Sequence, residues 1–214
     1  MRIKSGILTT YLAACVAFGA ALCLASPAMA ASAEERKVEI TRALEGINSP
    51  DPATRLATLE DVAASKDSNL RRLVLTTAFA SSDETLRGVA LNVAMRYTRS
   101  FVVSFRELNK KSPSALFQST NGQFDVYVQG FDADSGGFLV YNNFSAKEDN
   151  RYVAGPGTVA GDRLSANVNM AFAGSLNCMI VARLNKGTAL LTGTMACGNS
   201  NQGTEYAVEI QILR

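Results

Sequence analysis

A missing residue narrows the chemistry open to this chain, because the 214-residue sequence contains no histidine. Ser-His-Asp and Cys-His arrangements are therefore excluded, together with most zinc sites. Carboxylates and cysteines remain. Asp132-Ala-Asp134-Ser-Gly136 has the D-x-D-x-G look of a calcium loop. An EF-hand loop wants an oxygen ligand at its fifth position and a glutamate at its twelfth, where the sequence offers Gly136 and Asn143. Asp132 and Asp134 are thus weak metal candidates, and a hairpin turn explains the same letters. Asp132 or Asp134 could also pair with Asp162 or Glu205 as the carboxyl groups of a glycan hydrolase, which must stand roughly 5 to 10 Å apart. With no tryptophan, Tyr127, Tyr141, Tyr152 and Tyr206 would have to supply the sugar stacking. No nucleophile, base and orienting group can be named together, so no catalytic residue and no cofactor are assigned.

The cysteines divide into two sets. The chain opens Met1-Arg-Ile-Lys, runs mostly apolar from Ile7 to Leu24 and reaches Ala28-Met29-Ala30. This is the charged, apolar and small-residue order of a secretory signal peptide at 1–30, cleaved between Ala30 and Ala31. Its removal takes away Cys15 and Cys23, and also Arg2 and Lys4, leaving a formally neutral chain. Neutrality gives no electrostatic case for nucleic acid or an anionic membrane surface. Cys178 and Cys197 remain, in a chain directed to an oxidising compartment, and are expected to form one disulfide. If they face each other across a hairpin with a two-residue turn at Gly187-Thr188, Ile180, Ala182 and Leu184 lie opposite Met195, Gly193 and Leu191 on one apolar face. A slip of one residue would destroy that face. Asn143-Phe-Ser145 has the letters of a glycosylation sequon, and Gly155-Pro-Gly-Thr158, lacking the lysine of a phosphate loop, reads as a turn.

The first half is helical in pattern. Ser32-Ala-Glu-Glu35 is a capping box ahead of Ile40, Ala43, Leu44 and Ile47 at helical spacing. A sixteen-residue step then relates Asp51, Asp67 and Asp83, then Arg55, Arg71 and Arg87, then Leu59, Leu75 and Leu91. Ala57, Leu73 and Val89 follow it, as do Val62, Ala78 and Ala94, and Ala63, Phe79 and Met95. Sixteen residues make one helix of about three turns and a short connection. Each acid suits a helix start, and each arginine four residues later suits a local ion pair with it. With Asp51-Pro52-x-x-Arg55-x-Ala57 and Val62-Ala63, residues 51–98 resemble HEAT-like repeats. That resemblance implies an antiparallel helical stack and a protein-interaction surface.

Period-two alternation takes over in the second half, at Phe124–Gly130, Phe138–Phe144, Leu164–Phe172 and Tyr206–Leu213, with turn signals between. Phe101–Phe105 fits either a helix extension or a first strand. The chain is therefore expected to be α+β: a signal peptide at 1–30, a helical domain at 31–110 and, at 120–214, an antiparallel β-sandwich or small β-barrel with one disulfide. The expected function is that of an exported, periplasmic or extracellular, non-enzymatic binding protein whose partner is another protein, with no membrane span in the mature chain. A carboxylate-dependent hydrolase of a glycan-like polymer and a barrel carrying a small apolar ligand are the alternatives.

Overall fold

A computed structural model describes residues 32–108, 114–142, 154–171, 175–199 and 202–213. The leader with its Ala30–Ala31 cleavage site and the sequon at 143–145 lie outside the described residues. The chain divides after Val38, and Glu39–Arg214 is one compact unit.

Helix α1 (Ala33–Ile47) opens with a closed capping box: the Ser32 N–H donates to Glu35 Oε2 at 2.7 Å and the Glu35 N–H donates to Ser32 Oγ at 3.2 Å. Helices α2 (Pro52–Ala64), α3 (Ser68–Ala80) and α4 (Glu84–Tyr97) embody the sixteen-residue step, since 13 helical residues in α2 and in α3 leave three for each connection. Leu59, Leu75 and Leu91 are buried, as are Val62, Ala78, Ala94, Ala63, Phe79 and Met95. The step at Ala57, Leu73 and Val89 is not buried: Ala57 and Leu73 are exposed, and Val89 is half-buried and packs against the core.

The remaining described elements are β1 (Ser100–Glu107), a short helix α5 (Ala115–Thr120), β2 (Gln123–Gln129), β3 (Gly137–Asn142), β4 (Gly155–Ala160), β5 (Arg163–Ala171), β6 (Ser175–Leu184), β7 (Leu190–Asn199) and β8 (Gln202–Gln211). Consecutive strands pair antiparallel, and β8 returns to β1, giving a closed eight-stranded barrel. Of the two β architectures expected, the barrel is the one formed. Phe101–Phe105 is a strand, and Gly155–Thr158, read from sequence as a turn, lies in strand β4 between β3 and β5.

The β6–β7 register is the expected one, with Cys178 opposite Cys197, Ile180 opposite Met195, Ala182 opposite Gly193 and Leu184 opposite Leu191. Cys178 and Cys197 are bonded within the barrel interior. The connection is longer than a two-residue turn. Asn185 accepts from the Thr188 N–H at 3.3 Å, and Gly187, at φ +82°, is the third residue of that turn rather than the first central residue of a type II′ turn.

The barrel interior is filled by side chains, among them Phe101, Val126, Val140, Leu164, Ile180 and Met195, each fully or almost fully buried. At one end stand the β2–β3, β4–β5 and β6–β7 turns, and the helices pack there. Gly88 of α4 lies so close to the β4–β5 turn that an added Cβ would stand 3.0 Å from Gly161 Cα. Arg183 of β6 donates through Nη2 to Glu84 of α4 at 2.6 Å and through Nε to Asp162 at 2.5 Å. Asn92 Nδ2 donates to the Ala133 carbonyl at 3.3 Å. At the other end α5 closes the floor, with Leu116 buried and Phe117 edge-on to Phe105 at 5.9 Å. Helical and barrel side chains share one continuous core.

The disulfide closes a loop with a sequence separation of 19, a constraint on the unfolded chain of roughly 3 kcal/mol. The Cys178→Ala/Cys197→Ala variant should keep the native circular dichroism but lose about 2 to 4 kcal/mol in denaturant titration. An unchanged midpoint would show that the bond adds nothing to the hairpin.

Candidate functional site

Of the acids considered for chemistry, Asp132 and Asp162 are held by structural partners, and Glu205 stands apart from the other three. Asp132 organises the β2–β3 turn: its Oδ1 accepts from the Asp134 N–H at 3.0 Å and its Oδ2 from Ser135 Oγ at 2.7 Å. Those bonds, the Ser135 hydroxyl first, hold the Asp132 carboxyl below its ordinary value. A general acid requires the opposite shift. Asp162 is buried against Arg183, whose guanidinium is held protonated even more firmly than usual by the bond to Asp162. Glu205 points outward from β8 toward the α5 end, away from the turns bearing Asp132 and Asp162. Among the described residues no three acidic or cysteine side chains are grouped to hold a metal ion, Asp132 and Asp134 included. Of the four tyrosines considered for stacking, Tyr206 is buried, and its hydroxyl stands 3.1 Å from Ser114 Oγ above α5. Tyr152 lies outside the described residues.

The repeated arginines do not form the ion pairs expected four residues apart. Each donates through Nη1 to a carbonyl six residues back: Arg55 to Ser49 at 2.8 Å, Arg71 to Ser65 at 2.8 Å and Arg87 to Ser81 at 2.9 Å. The same serines accept through Oγ from the N–H of Asp51, Asp67 and Asp83. Each aspartate then accepts from two N–H groups of its helix's first turn. The unit is therefore Ser-x-Asp-x3-Arg, with the serine as the third member of the sixteen-residue step. The long-range ion pair is between Arg55 Nη2 and Asp83 Oδ2, 2.5 Å apart, which ties the starts of α2 and α4 together. The ends of those helices are joined by the Tyr97 hydroxyl, which donates to the Ala63 carbonyl.

With the interior packed and the caps occupied, the outer barrel face across β2–β7 is one feature among the described residues left without a structural role. Leu139, Met179 and Val181 stand 46%, 45% and 49% exposed on it. Tyr127 and Tyr141, paired across β2 and β3, stack at 5.2 Å with planes 19° apart. Around these lie uncharged residues: Met179 stands between Asn167 and Ala196, and Val181 between Ser165 and Thr194. Thr158 and Ser165 hydroxyls, 2.8 Å apart, join β4 to β5. Asn169 and Asn177 continue the face toward the α5 end. Charge returns at its borders, with Arg163 and Arg183 near the helices, Asp125 beside Tyr127 on β2 and Glu205 on β8. Sequence reading noted the small or polar alternates of Leu164–Phe172. It missed the face because a face extends over several strands, and only the register shows which residues are neighbours.

The chain matches no known protein family, no curated protein and no solved structure.

The cap network generates a pH prediction. The Asp83 carboxyl is held below its ordinary value of 3.8, first by the Arg55 guanidinium and then by the Leu86 N–H. A carboxyl lowered on folding stabilises the native state above its ordinary value, and that stabilisation is lost as pH falls through the lowered one. Asp83→Ala should cost about 1 to 2 kcal/mol at neutral pH and lose less further stability on acidification than the parent chain. Parallel stability curves down to strongly acidic pH would contradict this role for Asp83.

Proposed function

We propose that this chain is an exported, non-enzymatic binding protein of the cell envelope or exterior, which engages another protein through the outer barrel face over β2–β7. The observation that carries the reading is the composition of that face. Contiguous apolar surface bordered by polar groups marks interaction sites, and interface centres are enriched in aromatic residues and methionine and depleted of charge. Met179 and Val181 on β6 and, across β4 and β5, Leu139 with the Tyr127–Tyr141 stack supply two such apolar spots, and the asparagines and hydroxyls between and around them supply a rim that hydrogen-bonds without selecting for charge. The fitting partner presents a complementary uncharged surface with an apolar centre. We read α2–α4 as an antiparallel, HEAT-like stack whose part is to cover the end of the barrel, since its repeated polar residues are occupied by capping. No helix among the described residues is long and apolar enough to cross a membrane.

Export is tested by N-terminal sequencing of the protein recovered from the envelope or medium, which should begin at Ala31; a chain retained whole in the cytoplasm would overturn it. Binding is tested by placing a photo-crosslinking amino acid at Met179, at Leu139 and, outside the proposed face, at Gln211 on β8. Discrete adducts are expected from the first two positions, and Val181→Arg should weaken capture at least about tenfold while leaving the melting temperature unchanged. The same adducts from Gln211, or none from Met179 and Leu139, would refute the assignment of this face.

A further inference from the structure

A second surface, separate from the barrel's uncharged face, has the opposite character. Between the start of α3, the end of α4 and the chain ends entering β1 and leaving β8 lies a cavity of about 390 Å³. Arg71, Arg72 and Arg99 line it, and among the described residues no acidic side chain does. Arg71 is fixed in place: its Nη1 donates to the Ser65 carbonyl at 2.8 Å, and its guanidinium lies 3.8 Å from the centroid of the Tyr97 ring. Tyr97 is itself anchored by its hydroxyl to the Ala63 carbonyl. The backbone of Arg99 is tied to the barrel, its carbonyl accepting from the Val128 N–H at 2.8 Å. Arg72 and Arg99 are exposed, and among the described residues no carboxylate lies within ion-pair distance of any of the three arginines.

Three like charges facing one cavity repel one another, and a bound anion relieves that repulsion. The nearby N-terminus of α3 does not supply the attraction, because its Asn69 and Leu70 N–H groups already donate to Asp67. Recognition falls to the guanidinium groups, whose planar forks bind phosphate oxygens two at a time. A phosphate monoester carries about −1.5 to −2 charge at neutral pH and has three acceptor oxygens, a closer match to three arginines than a single carboxylate. The volume leaves room beyond the phosphate, so the geometry points to a phosphate carried on a larger organic group.

We propose that Arg71, Arg72 and Arg99 form a binding site for a phosphate monoester. The test is calorimetric titration of the full, oxidised chain with glycerol 3-phosphate at fixed ionic strength, with citrate as the carboxylate comparison. Phosphatidylcholine vesicles with and without phosphatidic acid distinguish a lipid headgroup from a soluble ester. Saturable binding to glycerol 3-phosphate, to phosphatidic acid vesicles or to both is expected. Arg72→Ala and Arg99→Ala should each weaken it about tenfold or more without lowering the melting temperature, whereas Arg106→Ala on the barrel wall should not. Binding to vesicles alone would assign the lipid source, and binding to the soluble ester alone would assign a soluble one. Absence of both, equal affinity for citrate, or equal weakening by Arg106→Ala would overturn the site.

Discussion

The structure depends on closure of the barrel through the pairing of β1 with β8. Closure brings strands separated by nearly the whole second half of the chain together and removes the sheet edges that would otherwise be open to another chain. It also turns the alternate residues of every strand inward. A small eight-stranded barrel is just wide enough for those side chains to fill, and here Phe101, Val126, Val140, Leu164, Ile180 and Met195 do so. The Cys178–Cys197 bond sits within that packing. What the protein does for other molecules is therefore argued from its outer surfaces.

The helices belong to the same construction. Gly88 allows α4 to approach the β4–β5 turn at backbone distance, and Arg183 then binds Glu84 on one side and Asp162 on the other. Replacing that glycine would push α4 off the turn and lengthen the Arg183–Glu84 pair. The three Ser-x-Asp-x3-Arg caps satisfy the first-turn N–H groups and serine carbonyls where each helix begins. They account for the repeated charged residues of α2 and α4, while Arg71 of α3 both caps and lines the cationic cavity. The surface thus separates into an uncharged face on the barrel wall and a cationic cavity at the helix–barrel junction.

Much of the fold is legible in the sequence where one residue type does one job. The β6–β7 register follows from two cysteines and an apolar alternation that tolerates no slip, and helix starts follow from Ser32, Asp51, Asp67 and Asp83. β1 is ambiguous because Val102, on the outer side, is buried along with Phe101 and Val103, which hides the period of two. β4 is hidden by Gly155-Pro156-Gly157. The glycines face inward, and Pro156 lies beyond the β4–β5 ladder, whose pairing starts at Gly157, so its missing N–H costs nothing there. α5, with 6 residues, is too short to form unaided and is held by the Ser114 cap and the Phe117–Phe105 contact. The surfaces are least legible: Arg71 and Arg99 come to line one cavity only through docking of the helices, and the places of Leu139 and Met179 on the outer wall, three strands apart, follow only from the successive pairings of β3 with β4, β4 with β5 and β5 with β6.

Native-state hydrogen exchange under rising denaturant tests most directly whether helices and barrel are one body with function on its exterior. Amides of Val74 in α3, Leu91 in α4 and Ile180 in β6 are expected to converge on one opening free energy, because their side chains share one core. If Val74 and Leu91 exchange through a separate opening at lower denaturant while Ile180 remains protected, the helices form an independent lid. The barrel end would then open without global unfolding, contradicting both the shared core and an exterior site of function.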